Sequence, residues 1–315
     1  MRLSSALSFR YNLFKYSLVY KRHALFCKML ELRHPDYLKN IQKSDIEPVF
    51  IVGAGRSGNT LLARLLHETG GVHFGPENYT LHVTYLRYLQ CIDFPWQERV
   101  DCILNILSSQ EDAWRWDKVD IDAVRGYLLA SDEHTLGNII HAWYLYYGRS
   151  IAYPSERWGC KTPNLTPFIE NFLRVFPAAK VIHIVRNPED TIISFSRTEI
   201  EPYNRSPIQA ELHWFFSNRL LSHCNTCLTL TYEDLSKFPS KVIDKLCYLL
   251  GIGVRRHVVF EQADLNYNHL CQVKDKIKFR SYTDDIPINS MTRRLYNELC
   301  NKSVYGKHDQ RQLDK

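Results

Sequence analysis

The segment Gly53-Ala-Gly-Arg-Ser-Gly-Asn-Thr60 puts three glycines, a guanidinium and two hydroxyls into one short loop. Glycines permit a tight turn with inward-pointing amides, and inward amides bind anions. The spacing fits the phosphate-binding pattern G-x-x-x-x-G-K-[ST] at every position but one. Asn59 stands where a lysine would serve the β- and γ-phosphates of a nucleoside triphosphate. That substitution argues against triphosphate hydrolysis, while Arg56 supplies a cation inside the loop. A second group of the same kind opens at Arg186-Asn-Pro-Glu-Asp190. Ser194 follows two helical turns later, and Arg197 one turn beyond it on a shared face. Arginine plus hydroxyl at a strand end suits a second phosphate, so the pair of motifs points to a ligand carrying phosphates at both ends.

Two further groups have reactive side chains. Glu77 closes the run His73-Phe-Gly-Pro-Glu77, and Lys161 sits in Arg157-Trp-Gly-Cys-Lys161-Thr-Pro163. Taken alone, Glu77 reads as an exposed loop carboxylate. Lys161 reads equally as a solvated turn lysine or as a cation facing the crevice at the C-terminal edge of a parallel sheet.

Positioning these groups requires strands that end at them. Pro48 to Val52 is an apolar, β-branched run, and Leu61, Leu62, Leu65 and Leu66 then form one face of a helix. Val181 to Val185 is a second such strand. Asn187 can cap the helix after it, Pro188 suits its first turn, and Glu189 and Asp190 complement its dipole. Leu228 to Thr231 reads as a further strand ending in Tyr232-Glu-Asp-Leu235. Helices are expected over Leu165–Phe176, residues 206–223, Lys241–Leu250 closed by Gly251, and near Met291–Cys300. Residues 80–150 read as mostly helical, with Leu81, Tyr85, Leu89, Ile139, Trp143 and Tyr146 at helical spacing. The aromatics Trp114, Trp116, Tyr127, Trp143, Tyr144, Tyr146 and Tyr147 are expected in the core of this insertion, which is also the natural wall for an acceptor pocket. The predicted fold is α/β, three layers around a central parallel sheet. A domain spans 46–310, its helical insertion lies at about 80–150, and a basic extension occupies 1–45.

Composition narrows the classes. With 315 residues, 45% hydrophobic and 23% charged, the chain is ordinary for a globular protein. A net charge of +6 without a lysine/arginine run gives no nucleic-acid groove, and suits an anionic ligand. Nine cysteines show no framework. Cys224-Asn-Thr-Cys227 is the single C-x-x-C, so no metal site is expected, and reduced thiols in a cytoplasmic setting are. The uncharged N-terminal stretches are too short to span a bilayer. Arg2, Arg10, Lys15, Lys21, Arg22 and Lys28 precede the first acid, Glu31. This segment reads as a packed or unstructured extension, or else as an amphipathic segment making a peripheral contact with an anionic membrane. Lys274, Lys276, Lys278 and Arg280 read as a solvated face or as a basic loop over an anionic cofactor.

These residues resemble the sulfotransferases that use 3′-phosphoadenosine 5′-phosphosulfate (PAPS), and the bacterial-type and tyrosylprotein-type members more than the phenol and steroid enzymes. Gly55-Arg-Ser-Gly-Asn-Thr60 resembles the 5′-phosphosulfate loop, and Arg186-Asn-Pro-Glu-Asp with Ser194 resembles the 3′-phosphate motif. Trp158-Gly-Cys-Lys161-Thr-Pro, Tyr232-Glu-Asp-Leu and Pro239–Ile252 follow in the family's order, so the likeness covers about residues 47–255. The resemblance implies that Gly55, Arg56, Ser57, Gly58, Asn59 and Thr60 hold the 5′ group, Arg186 and Ser194 the 3′-phosphate, and that Tyr232 contacts the nucleotide. It implies Glu77 as general base in a pocket of low polarity, with Lys161 and Arg56 stabilising the transferred group and no metal needed. The implied acceptor is a hydroxyl or amine, with carbohydrate or another hydroxylated metabolite preferred. Gly55 and Asn59 depart from the family's usual proline and threonine. The alternatives are a magnesium-dependent small-molecule kinase and a nucleotide-binding scaffold without turnover. Oligomeric state is not legible in the sequence.

Overall fold

β1 (Val49–Val52) is four consecutive buried apolar residues, the pattern of a strand covered on both faces. In the computed structural model the described residues are 18, 21–22, 25–33, 46–109, 116–197, 206–224, 226–254 and 286–305. β1 pairs in parallel with β3 (Trp158–Lys161) on one side and β4 (Lys180–Val185) on the other. β2 (His73–Phe74) and β5 (Cys227–Thr231) complete a five-stranded sheet of order β2-β3-β1-β4-β5. The connection leaving β1 runs toward β2 and that leaving β4 runs toward β5. The seam between β1 and β4 is therefore the topological switch point, where an open parallel sheet offers a ligand crevice at the strands' C-terminal ends.

Alternation along the strands builds the layers. Phe50, Val52, Trp158, Cys160 and Val181 point to a face covered by α2 (Leu81–Gln90), α3 (Trp96–Ser108), α4 (Ile121–Ala130), α5 (Leu136–Ser150) and α6 (Ile169–Val175). Val49, Ile51, Ile182, Ile184 and Leu230 point to the other face. There they meet α1 (Asn59–Glu68), α9 (Tyr232–Lys237) and α10 (Pro239–Leu250). α7 (Pro188–Ser196), α8 (Pro207–Leu221) and α11 (Ser290–Lys302) close the side next to β4 and β5. The predicted α/β architecture with a helical segment between the second and third strands is what the chain adopts.

Three details differ from the sequence reading. The helix expected over Leu165–Phe176 is split into a 3-10 turn, Pro163–Phe168, and α6. Pro167 lacks the N–H that an α-helical ladder needs, so the first turns tighten instead. Tyr127 is partly exposed and meets only the edge of the aromatic cluster through Tyr146, whereas Trp116, Trp143, Tyr144 and Tyr147 are buried together. Cys224 and Cys227 form a disulfide between the end of α8 and the start of β5, against the expectation of reduced thiols throughout. The turn holds their Cα atoms 5.5 Å apart, within bridging reach. The basic extension agrees with its reading as a packed segment where it is described: residues 25–33 are helical and docked, Cys27 and Glu31 are buried, and Glu31 accepts hydrogen bonds from Tyr85 and Arg174. Arg2, Arg10, Lys15, Trp114, Lys274, Lys276, Lys278 and Arg280 lie outside the described residues. Among the described residues no helix is long and apolar enough to cross a membrane.

Two core histidines give the fold a pH signature. His183 on β4 is wholly buried and pairs through Nε2 with Asn218 Oδ1 at 2.8 Å, and His141 on α5 accepts from Trp158 Nε1 at 3.0 Å. Burial disfavours the imidazolium and lowers both to about 4. In the unfolded chain they titrate near 6.5. The unfolded state therefore binds more protons between those values. The stability they contribute is complete above about pH 6.5 and falls as pH drops toward 4, by about 1.4 kcal/mol per pH unit per histidine. Urea midpoints are expected to drop from pH 7 to pH 5, with a shallower drop in His183→Gln. An equal slope in the variant would remove His183 from this account.

Candidate functional site: an anion cradle joined to a buried ion pair

The chain leaves β1 through Gly53, whose φ of 141° only glycine adopts comfortably and where a Cβ would lie 2.4 Å from Ile184 O. The loop closes at Gly58, the left-handed N-cap of α1, where a Cβ would meet the Tyr232 ring at 2.5 Å. Arg56 also takes a left-handed conformation, φ 63°, unusual for a residue with a side chain. No side chain caps α1, so its first-turn amides and dipole are left to the loop interior. Ser57 Oγ and Asn59 Oδ1 are buried with no hydrogen-bond partner. Buried polar atoms rarely go unsatisfied in a native fold, and the Ser57 hydroxyl is a donor that an anion bound in the loop would satisfy; the Asn59 carbonyl oxygen, an acceptor, is not one. Asn59 spends its other amide atom on the loop itself, Nδ2 donating to Ala54 O at 2.8 Å. A lysine could not make that bond while reaching a terminal phosphate.

The second motif folds against the first. Arg56 Nε donates to Ser194 Oγ at 3.1 Å, and Arg186 Nη1 donates to Arg56 O at 3.2 Å. The Arg186 guanidinium lies over the Tyr232 ring at 4.4 Å, with Asp190 Oδ2 at 3.8 Å. Arg56, Arg186, Ser194 and Tyr232, drawn from three strand–helix units, thus make one cationic pocket beside the loop. Arg197, expected on the face of Ser194, ends α7 exposed.

Several supports had no sequence signal beyond ordinary helix or turn residues. Thr166, in the 3-10 turn, clamps the loop's first residue: its hydroxyl accepts from Gly53 N at 3.0 Å and donates to Gly53 O at 3.1 Å. His213 Nε2 accepts from Gly55 N at 3.4 Å, and Trp214 Nε1 donates to Arg186 O at 3.0 Å, so α8 holds both motifs. Gly55 supplies that amide, which a proline would lack. Glu233 accepts from Asn187 N at 2.8 Å, and burial raises its carboxyl above the usual range.

Lys161 and Glu77 are brought together on the other side of the loop. Lys161 is the last residue of β3, and its Nζ donates to Thr60 Oγ1 at 3.0 Å and pairs with Glu77 Oε1. Tyr79 OH donates to Glu77 Oε2 at 2.5 Å. The side chains are 5% and 13% exposed, so Glu77 is not the solvated loop carboxylate that sequence alone suggested. The reason is electrostatic: an ammonium this buried requires a counter-charge, and the Gly75-Pro76 turn delivers one. Nor does Glu77 stand in a merely apolar pocket, because an ammonium and a phenol hold its two oxygens. A carboxylate, an ammonium and a hydroxyl in series at the edge of an anion cradle can take up a proton and stabilise charge on a departing oxygen. Among the described residues no group of His, Cys, Asp or Glu is placed to hold a metal ion.

This pair is testable through stability. Lys161→Met leaves Glu77 without its counter-ion and is expected to cost about 3 kcal/mol in urea unfolding. Adding Glu77→Gln should recover a large part of that loss. Simple additivity of the two substitutions would contradict a direct coupling.

A profile described as the sulfotransferase family matches residues 48–256, more than half of the chain. None of the curated proteins matches it. Among solved structures, a sulfotransferase domain from the Synechococcus PCC 7002 olefin synthase is 22% identical, with 81% of this chain and 96% of that chain covered and a TM-score of 0.49. A sulfotransferase domain from the curacin biosynthetic pathway is 19% identical, covering 81% and 97%, with a TM-score of 0.48. A sulfotransferase from Alicyclobacillus acidocaldarius is 14% identical, covering 72% and 89%, with a TM-score of 0.39. The assignment rests on the profile, whose span holds the loop, the Glu77–Lys161 pair and the Arg186 pocket: this chain belongs to the sulfotransferase family.

Proposed function

We propose that the chain transfers the sulfuryl group of PAPS to a hydroxyl or amine of an acceptor, with residues 46–310 as the domain that carries the activity. The observation that carries this reading is the unbroken contact from the phosphate loop through Thr60 and Lys161 to Glu77. It joins the place where a phosphate is held to the group that takes the acceptor's proton. The residues present fit the nucleotide. Ser57 and the uncapped amides of α1 offer donors to the 5′ end, and Arg186 and Ser194 offer a guanidinium and a hydroxyl to the 3′-phosphate. Arg56 spans the two, with its backbone in the loop and its guanidinium on Ser194. Gly55, Gly58 and Asn59 shape the loop, and Tyr232 backs both Gly58 and Arg186.

PAPS, when bound, supplies an activated sulfuryl group and a phosphate leaving group. Glu77 accepts the proton of the acceptor as the new O–S or N–S bond forms. Lys161, released from Glu77 by that protonation, keeps its bond to Thr60 and its positive charge. It can then meet the negative charge that gathers on the 5′-phosphate oxygen as the old S–O bond breaks. Arg56 and the loop amides act on the same charge, and positioning supplies the rest, as in phosphoryl transfer. A carbohydrate or another hydroxylated metabolite remains the preferred acceptor. The aromatic residues of the helical insertion do not bear on that choice, because Trp143, Tyr144 and Tyr147 pack against Trp116 in the core in tilted and edge-on contacts.

Calorimetry with 3′-phosphoadenosine 5′-phosphate in the absence of metal is the direct test. Binding should weaken about tenfold or more in Arg186→Ala, which loses a charge-assisted contact. Glu77→Gln should bind the nucleotide like the parent, yet lower transfer of labelled sulfate from PAPS to a panel of alcohols, phenols and sugars about a hundredfold. Preference for ATP with magnesium over the bisphosphate would overturn the reading.

A further inference from the structure

The helical residues 25–33 have two apolar sides, and only one of them is used by the fold. Cys27, Leu30 and Glu31 face the domain, with Glu31 buried between Tyr85 and Arg174. At about 100° per residue, Leu25, Met29 and Leu32 fall together on the opposite side, with Phe26 at its edge. They are 61%, 58%, 73% and 44% exposed. Four large apolar side chains on one short helix form a contiguous patch rather than scattered surface residues, and such patches mark interaction surfaces.

The charges around the patch identify what it fits. Lys28 and Arg33 are exposed and flank the stripe on either side, and Lys21 and Arg22 are exposed a few residues before it. The first 33 residues hold seven lysines and arginines, Arg2, Arg10, Lys15, Lys21, Arg22, Lys28 and Arg33, against the single acid Glu31. That one carboxylate is turned inward, on Arg174, so the outer side of the helix carries no negative charge. An apolar stripe bordered by long cationic side chains is the pattern that lies in a membrane interface, with the stripe among acyl chains and the cations at anionic headgroups. Arg174, the anchor of the buried side, lies in the last turn of α6, which leads into the first residue of β4. That is the end of the sheet opposite the phosphate loop, so docking on this face leaves the catalytic edge open.

We propose that this helix docks the protein on anionic lipid bilayers, seating Leu25, Phe26, Met29 and Leu32 in the interface with Lys28 and Arg33 on the headgroups. The inference is independent of the proposed sulfuryl transfer, and its failure would leave that reading untouched. The test is flotation of the full chain with vesicles of phosphatidylcholine alone and of phosphatidylcholine with about one-third phosphatidylserine. The parent protein should float with the anionic vesicles and not with the neutral ones, and added salt should reduce the bound fraction. Lys28→Glu/Arg33→Glu and, separately, Leu25→Ser/Met29→Ser/Leu32→Ser should each lower that fraction about tenfold or more. Far-ultraviolet circular dichroism and urea midpoints equal to those of the parent would show that both variants are folded. Absence of parent flotation on anionic vesicles at low salt overturns the proposal, as does flotation that the triple serine variant leaves unchanged. A concentration-dependent dimer in sedimentation, abolished by the same three serines, would instead assign the face to a second copy of the chain and likewise overturn it.

Discussion

A buried ammonium is the constraint around which the site is arranged. Lys161 ends a central strand with almost no solvent, and a charge so placed must be met by an opposite charge and by hydrogen-bond acceptors. Glu77 and Thr60 meet it from two different segments. The same contacts that relieve the cost of burial therefore fix the distance between the phosphate loop and the carboxylate. A rigid spacing follows from an electrostatic necessity.

The second organising element is the seam between β1 and β4. Each strand ends in a loop that begins a helix, and the two loops meet because the strands are neighbours with connections leaving in opposite directions. This brings Arg56 onto Ser194 and Arg186 onto the backbone of Arg56, although the motifs are separated by the whole helical insertion. Tyr232, at the end of the next strand over, then fills the space that the missing side chain of Gly58 leaves, and lies under Arg186. One ring serves both halves of the cradle. The insertion's aromatic residues, by contrast, are spent on one another and on Trp158, and they build the wall's interior rather than its surface.

The left-handed Arg56 and the unpartnered Ser57 Oγ are the marks of a site left incomplete by the fold alone. Local strain and unsatisfied polar atoms lower stability, and they persist where the surrounding structure holds them and a ligand repays them. Thr166 and His213 provide that holding from outside the loop, one at each end of its first three residues.

Much of this was written in local patterns. The glycine spacing, the β-branched runs, and the Asn187-Pro188 cap each specify their own backbone through sterics and hydrogen bonding among near neighbours, so both strand-end loops and the strands before them could be read directly. The layers could be read as well, since alternation on a strand and 3.6-residue spacing on a helix are properties of the chain itself. The burial of Glu77 could not, because nothing near it in sequence requires a counter-charge. That requirement comes from Lys161, which only strand pairing brings alongside. Thr166, His213 and Trp214 were silent for the same reason, being ordinary turn and helix residues until packing sets them against Gly53, Gly55 and Arg186. The disulfide at Cys224 and Cys227 and the outward side of helix 25–33 likewise depend on where the ends of elements come to rest. Sequence by itself determined the family and the strand–loop–helix units, which short-range sterics encode. Tertiary structure alone decided which charges are buried, which partners they meet and which apolar face stays outside, because burial and Coulombic pairing are properties of contacts between distant segments.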